Sequence, residues 1–453
     1  MDERLARYPL LEALIERRSR RFGKGMRLEG GPLAFTSASP PQPLTIEEEA
    51  ALAFAACGIT GNVLAELPYE RSGTPESSGG NIMAQFIGRT VPSPDALHIY
   101  TIFIINDEGV WMLKRPQDFE RPEYADLIEA ARQHRLVELY EKSRVRISTR
   151  RAEIPRRVPY THAFNKWSAN VPGTTYILPI AELTAPYING LLFTFSEDFG
   201  GFPLDERNLF LPAGIGSFAQ SKGGHLFNDP KDERSGPIGY IETWLYEAAA
   251  IEQGAILQNL ALMTQALGLG GFSHFAAHPY IWFRALGFRM QEIPASKIMG
   301  LSPALSRIAD LIRKDIPVPT AVGLELEEDV LLKPFCPPYY RDMKEAVLAF
   351  LDFKYAEGTG TLRDGGKVTS WQDGQTVQQS IPRYSDRAIA ATIAYCDYIY
   401  KHFGRFPAGS GPFRTTLAYQ AHHLDPDFYD QFYRAESLPE TQREHQARWH
   451  NSD

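Results

Sequence analysis

"ALHIYTIFIINDEGVWML", residues 96–113, is the stretch on which the fold turns. Its Ile, Tyr, Thr and Phe suit a pleated, half-buried surface, Asn106 and Asp107 favour a turn, and the residues after them are apolar again. The reading is a buried strand, a turn and a second strand, so a sheet begins here. Upstream, "PPQPLTIEEEAALAFAACGITGN" (40–62) predicts an amphipathic helix. Thr45 stands as its N-cap, Glu47, Glu48 and Glu49 suit its positive N-terminus, and Gly58 is its stop. Further upstream an opening helix over 8–18 puts Leu10, Leu11, Leu14 and Ile15 on one face, which is expected to dock. Downstream, one helical stretch is expected near 123–141. A long helix is expected over 242–267, with Ile256, Leu260, Met263 and Leu267 on one stripe and Gly268, Gly270 and Gly271 closing it. A short strand is predicted over 293–301. The remainder reads as mostly helical, including "SDRAIAATIAYCDYIYKHFG", capped by Ser385 and ended by Gly404.

The chain has 453 residues, 43% hydrophobic and 23% charged. That suits a globular protein of roughly two or three domains. No run of about 18 apolar residues could span a bilayer and the first residues do not read as a secretory signal, so a cytoplasmic protein is expected, with no membrane partner. Cys57, Cys336 and Cys396 are far apart and form no C-x-x-C, which argues against a disulfide framework or a cysteine-built zinc site. A net charge of −8 argues against nucleic acid as a partner. The basic segment "KSRVRISTRRAEIPRRV" (142–158) is the local exception and reads as a solvated edge strand or loop, or as a contact for an acidic partner.

"RRSRRF" (17–22) follows the opening helix, a cationic cluster that is either a solvated turn or a holder of an anion. Taken in order with "AACGITGN", "RTVPSPDALHIYTIFII", "AAIEQGAILQNLALMTQALGLGG" and "ALGFRMQEIPASKIMGL", it resembles the FMN-dependent nitroreductase superfamily. "RTVPSPDALH" is most similar to the azoline-dehydrogenase branch. The resemblance implies an α+β fold with a nitroreductase-like core, a central mixed sheet flanked by helices, built from 1–115 and 241–302. Residues 116–240 are then an insertion or cap, and 303–453 a mainly helical C-terminal extension that with the cap shapes a substrate pocket. It implies a flavin-dependent oxidoreductase acting as a homodimer with FMN at the interface. Hydride or electrons would pass to or from a small organic or peptide-derived substrate, with NAD(P)H as a possible electron donor.

By the same resemblance, Arg17, Arg18 and Ser19 would hold the FMN phosphate, because an arginine fork and a hydroxyl are matched to phosphate oxygens. Arg21 would approach the electron-rich edge of the ring and stabilise the reduced anion. Pro92 and Ser93 match a turn supplied by the partner subunit, and Gly270 and Gly271 match the backbone segment that passes the flavin. The glycines equally suit a helix end, and Ser93 equally a plain turn. The sequence departs from the family in three places. Ala96 and His98–Ile99 stand where common nitroreductases have an Asn and a Gln-Pro pair, although Ala at the first position is what the azoline-dehydrogenase branch shows. No acidic residue accompanies the glycines. The Lys-Tyr pair expected before the long helix in azoline dehydrogenases is missing its lysine, since Gly239 precedes Tyr240. Arg307 is a guess for completing the phosphate site. A non-catalytic flavin-binding or protein-interaction protein on the same fold is the alternative.

Other signals are set aside. His274 and His278 have the spacing of two metal ligands on a helix, but Pro279 follows at once and a third ligand is not evident. "HHLDPDFYD" (422–430) concentrates His422, His423, Asp425 and Asp427, with His445 and His450 downstream, and reads as a helix start, Asp425 as N-cap and Pro426 at N1, in preference to a metal cluster. No catalytic side chain and no metal ligand is assigned. "GIGSFA" (214–219) lacks the strand and acidic residue of a dinucleotide loop, and Cys336 lacks an activating base.

Overall fold

The computed structural model describes residues 3–66, 80–274, 279–312 and 315–450. Residues 71–79 of the Gly/Ser-rich stretch, and His278, lie outside them. The stretch 96–113 folds as expected, giving β1 (Tyr100–Asn106) and β2 (Gly109–Leu113), a hairpin in which Asn106 opposes Gly109. Five more strands complete the central sheet: β3 (Arg144–Ser148), β4 (Thr175–Glu182), β5 (Gly270–His274), β6 (Phe413–Arg414) and β7 (Ala418–His422). The order is β5-β7-β4-β1-β2-β3, with β6 also pairing with β4.

Every pairing in this sheet is antiparallel, which corrects the expected mixed sheet. Neighbouring strands are joined either by the tight β1–β2 turn or by long excursions that bring the chain back in the opposite sense. The membership of the sheet also redraws the expected domains. β4 lies in 116–240 and β7 in 303–453, and both are interior strands between β5 and β1. The presumed cap and extension are therefore part of one core. The C-terminal part is not simply helical either. It contributes β6, β7 and most of a small antiparallel sheet formed by Arg289–Pro294, Pro317–Leu326 and Asp329–Leu332. The strand expected over 293–301 ends at Pro294 and gives way to a helical turn, Ala295–Ile298.

Alternation along the strands builds two cores. Tyr100, Ile102, Ile104, Trp111, Leu113 and Ile177 face a helical layer. Phe103, Ile105, Val110, Met112, Tyr176 and Leu178 face the small sheet and the Trp282–Phe288 region. A sheet buried on both sides needs strands apolar on both faces, and six of the seven β1 residues are buried. Each such side chain is worth about 1.5–3 kcal/mol relative to exposure. Edge strand β3, in the basic segment, is half-buried, as its charge anticipates.

Ten of the helices, in chain order, are α1 (Leu10–Glu16), α2 (Ile46–Cys57), α3 (Tyr124–Arg132), α4 (Leu136–Ser143), α5 (Thr184–Thr194), α6 (Ile238–Ala266), α7 (Met343–Tyr355), α8 (Asp386–Phe403), α9 (Pro426–Phe432) and α10 (Glu440–His450). The single helical stretch expected near 123–141 is thus two. Thr45 and Glu48 form a reciprocal capping box at the start of α2, Thr45 Oγ1 accepting from Glu48 N at 3.2 Å and Glu48 Oε2 from Thr45 N at 2.9 Å. Ser385 caps α8, and Gly404 ends it in the left-handed region at φ 74°.

The α1 face of Leu10, Leu11, Leu14 and Ile15 does not dock within the chain; these residues are 67%, 65%, 49% and 56% exposed. The helix has only seven residues and rests against its neighbours through Ala13, its one buried side chain. On α6 a second outward stripe carries Tyr240, Trp244 and Ile251, all exposed.

Candidate functional site

The chain leaving α1 runs beside β5. Arg20 forms an antiparallel bridge with Gly271, 251 positions further along the chain, so the arginine cluster and the glycine segment become neighbours. The side chain that goes inward is Arg20, which the sequence reading passed over. It is 4% exposed. Its Nε donates to Ser437 O at 2.8 Å, Nη1 to Gln265 Oε1 at 2.9 Å and Nη2 to Glu16 O at 3.3 Å. It ties the end of α1 to α6 and to the segment before α10, which is structural work. Arg21 is half-buried, its guanidinium 4.6 Å from the Phe272 ring centroid and 5.1 Å from that of Trp167. Its Nη2 donates to Asn165 Oδ1 at 2.6 Å, while its Nε is buried with no hydrogen-bond partner. Burial lowers the pKa of both Arg20 and Arg21.

Arg17 is half-buried, and Arg18 and Ser19 are exposed. Arg18 Nη1 turns back to the carbonyls of Ile15 and Arg17 at 2.8 and 2.9 Å. A cation at the carbonyl end of a helix is favourably placed without any ligand. The glycines meet a tight environment. A Cβ on Gly270 would lie 2.6 Å from His422 Nε2 and 3.0 Å from Arg20 O, and one on Gly271 would lie 2.6 Å from the Tyr419 hydroxyl. Close approach is what both positions require, and within the chain the approaching groups are the protein's own. Gly268, the helix end proper, has φ 73°.

Pro92 and Ser93 lie elsewhere. Ser93 Oγ accepts from His98 N at 2.9 Å, and its hydroxyl bonds Glu252. Glu252 is thirteen residues before Gln265 on α6, about 20 Å along the axis at 1.5 Å per residue, so one chain does not bring the turn to the arginines. Burial pushes the Glu252 carboxyl up to about 7. After the turn the backbone is strained, with Asp95, Ala96 and His98 at φ 53°, 52° and 49°. Fully buried Lys354 closes this region, its ammonium donating to Asn81 O and, at 2.7 Å, to Asn189 Oδ1. Burial brings the Lys354 pKa down to about 7 and raises that of Asp95 to about 6. Arg307 is exposed and lines a groove with Lys297 and His402.

The histidines divide. His274 and His422 are buried on one face of β5 and β7; neither ring nitrogen of His274 has a hydrogen-bond partner, and His422 sits against the backbone of Arg20. Burial lowers both to a pKa of about 3, so both stay neutral. Asp425 is an N-cap as expected, accepting from Asp427 N and Phe428 N. His423, however, meets Glu48 of α2 and His445 of α10, a grouping that no spacing in the sequence announces. Cys336 is buried and its thiol is pushed far up by desolvation, which fits an unreactive side chain.

The geometry defines an α+β protein with an antiparallel sheet between a helical layer and a small sheet, and a cationic strip laid on one edge strand. No family model matches the chain, and no curated protein matches its sequence. Among solved structures it is similar to a putative nitroreductase from Ralstonia eutropha, at 13% identity and a TM-score of 0.27 over 61% of this chain and 75% of that one. A likeness of that size carries no argument about function.

Proposed function

We propose that the protein is an FMN-dependent oxidoreductase of nitroreductase type, acting as a homodimer on a small organic or peptide-derived substrate. The observation that supports this reading is the Arg20–Gly271 bridge, which brings the arginine cluster beside the glycine strand. The exposed or half-buried Arg17, Arg18 and Ser19 fit a phosphate dianion, and the orphaned Nε of Arg21 fits a further acceptor. Bound FMN would supply the hydride chemistry. Arg17, Arg18 and Ser19 would bind its phosphate, and Arg21, flanked by Phe272 and Trp167, would hold positive charge at a fixed place. The distance between Ser93 and this strip within one chain supports a second copy as the donor of the Pro92–Ser93 turn. The exposed apolar residues of α1 and α6 support a surface for that copy.

One observation favours the alternative, a fold-bearing protein without a working flavin site. The space over Gly270 and Gly271 is occupied by His422, Leu424 and Tyr419. An absorption spectrum of the purified protein decides between them. Oxidised-flavin bands in the wild type that disappear in Arg17→Ala and Ser19→Ala support the enzyme. A colourless protein that takes up no added FMN refutes it and leaves the interaction protein.

A further inference from the structure

Glu48, His423 and His445 come from three distant segments, the first turn of α2, the residue after β7, and α10. All three are buried, and one nitrogen of each ring and one carboxylate oxygen lie within 4.8 Å of one another. The two carboxylate oxygens have different surroundings. Oε2 accepts from Thr45 N at 2.9 Å and lies 3.1 Å from His423 Nε2. Oε1 is buried without a hydrogen-bond partner, 3.4 Å from His445 Nε2. His445 Nε2 is in turn 3.3 Å from His423 Nδ1. A tetrahedral ion with bonds of about 2.0–2.1 Å separates its ligand atoms by about 3.4 Å.

We propose that Glu48, His423 and His445, through a carboxylate oxygen and one nitrogen of each ring, bind a divalent transition metal of the zinc class, with a fourth position open to a neighbouring cavity. The two carboxylate oxygens lie 3.1 Å from His423 Nε2 and 3.4 Å from His445 Nε2, so an ion between the carboxylate and these two nitrogens takes one lone pair from each residue. Oε1, otherwise a buried anionic oxygen with nothing to accept, becomes a ligand. Two imidazoles and one carboxylate are the donors of zinc sites that keep a coordination position for water or substrate, and they disfavour calcium or magnesium, which take oxygen.

Glu48 and His445 line a cavity of about 300 Å³ whose walls include Leu5, Leu136, Leu267 and Thr441. His423 is not among its lining residues and would close the ion from behind. The open position would therefore face a mostly apolar chamber. This inference is independent of the flavin reading, since none of the three ligands belongs to the arginine–glycine strip.

The test uses full-length protein with any histidine tag removed, stripped by chelator and titrated with Co²⁺ and then Zn²⁺. One Co²⁺ per chain, with the visible band of a tetrahedral site and displacement by Zn²⁺, is the expected result. His445→Asn and His423→Asn should abolish the band. Glu48→Gln, which can still accept the Thr45 N–H, should weaken binding by at least about tenfold. Unfolding midpoints of the metal-free variants show whether each is folded, and a folded variant that binds Co²⁺ like the wild type overturns the assignment. A wild type with no stoichiometric Co²⁺ or Zn²⁺ also overturns it, whatever the variants do, and leaves a hydrogen-bonded Glu–His–His relay.

Discussion

Arg20→Met separates the inward arginine from its outward neighbours. The wild-type guanidinium donates to Ser437 O, Gln265 Oε1 and Glu16 O from a position that is 4% exposed. Hydrogen bonds from a charged donor are worth about 1.5–3 kcal/mol each, but they share one side chain and do not add. Methionine removes all three donors and leaves the acceptors in place, with Gln265 fully buried and still tied to Glu16 and Gln442 through Nε2. Against this loss stand the desolvation of a guanidinium no longer required and the packing of the thioether. The net cost should be about 3 kcal/mol, as for breaking one side of a buried polar network. Arg18→Met is the matched control. Arg18 is exposed and bonds only carbonyls of its own helix end, so its loss should stay within about 0.5 kcal/mol. Urea denaturation followed by far-ultraviolet circular dichroism reads both variants under identical conditions. Equal midpoints for Arg20→Met and Arg18→Met would refute the claim that Arg20 is the structural member of the cluster.

Glu252 has a folded pKa of about 7 against an ordinary 4.5, so it holds a proton in the native state that the unfolded chain has released; stability should fall as pH rises through that window, by up to about 3 kcal/mol, and Glu252→Gln should remove that slope in unfolding measured from pH 4.5 to 7.5. Lys354 works in the opposite sense: with its pKa brought down to about 7 from 10.5, the unfolded chain binds the extra proton, so stability should rise with pH above 7, a rise missing from Lys354→Met in thermal unfolding across pH 7–10. Thr45→Ala deletes one half of the capping box and should cost about 1 kcal/mol by chemical denaturation, while Thr45→Ser should cost little. Ile251→Glu puts a charge on the outward stripe of α6, and light scattering should find a wild-type dimer converted toward monomer; a monomeric wild type would count against the paired flavin site.

What the sequence disclosed was local. The β1–β2 hairpin, the capping box on α2 and the Ser385–Gly404 limits of α8 are each fixed by residues within a turn or two of one another, so spacing alone finds them. The placement of β4 and β7 is not of that kind. "LAYQAH" (417–422) mixes apolar and polar residues over too short a run to stand out, and its two edges are paired only by β4 and β5, strands far away in the chain. Reading 116–240 and 303–453 as additions to a core was therefore natural and does not match the sheet. The arginines failed in a similar way. Four of them within five residues carry the same chemistry, and which one turns inward depends on Gln265 and Ser437, far away in the chain. The apolar face of α1 was visible, but a periodic stripe shows that a face is apolar and not what covers it.

The polar residues that sequence could not sort converge on the end of α6. Gln265 bonds Arg20 on one side, while Ala266 and Leu267 line the cavity reached by Glu48 and His445 on the other. Gly268 then turns the chain into β5 at φ 73°, and a Cβ there would lie 2.5 Å from His445 Cβ and 2.8 Å from Thr441 O. The approach of α10 to this corner, which places His445 beside Glu48, therefore depends on a residue without a side chain. The same short connection sets where β5 begins, and hence where Gly271 meets Arg20. The proposed flavin strip and the proposed metal cluster use different ligands, yet one structural corner holds both in register. A change at that corner should disturb the two together, whereas Arg17→Ala should touch only the first and His445→Asn only the second. That pattern of separation and coupling follows from backbone geometry, and it holds whichever of the two sites proves occupied.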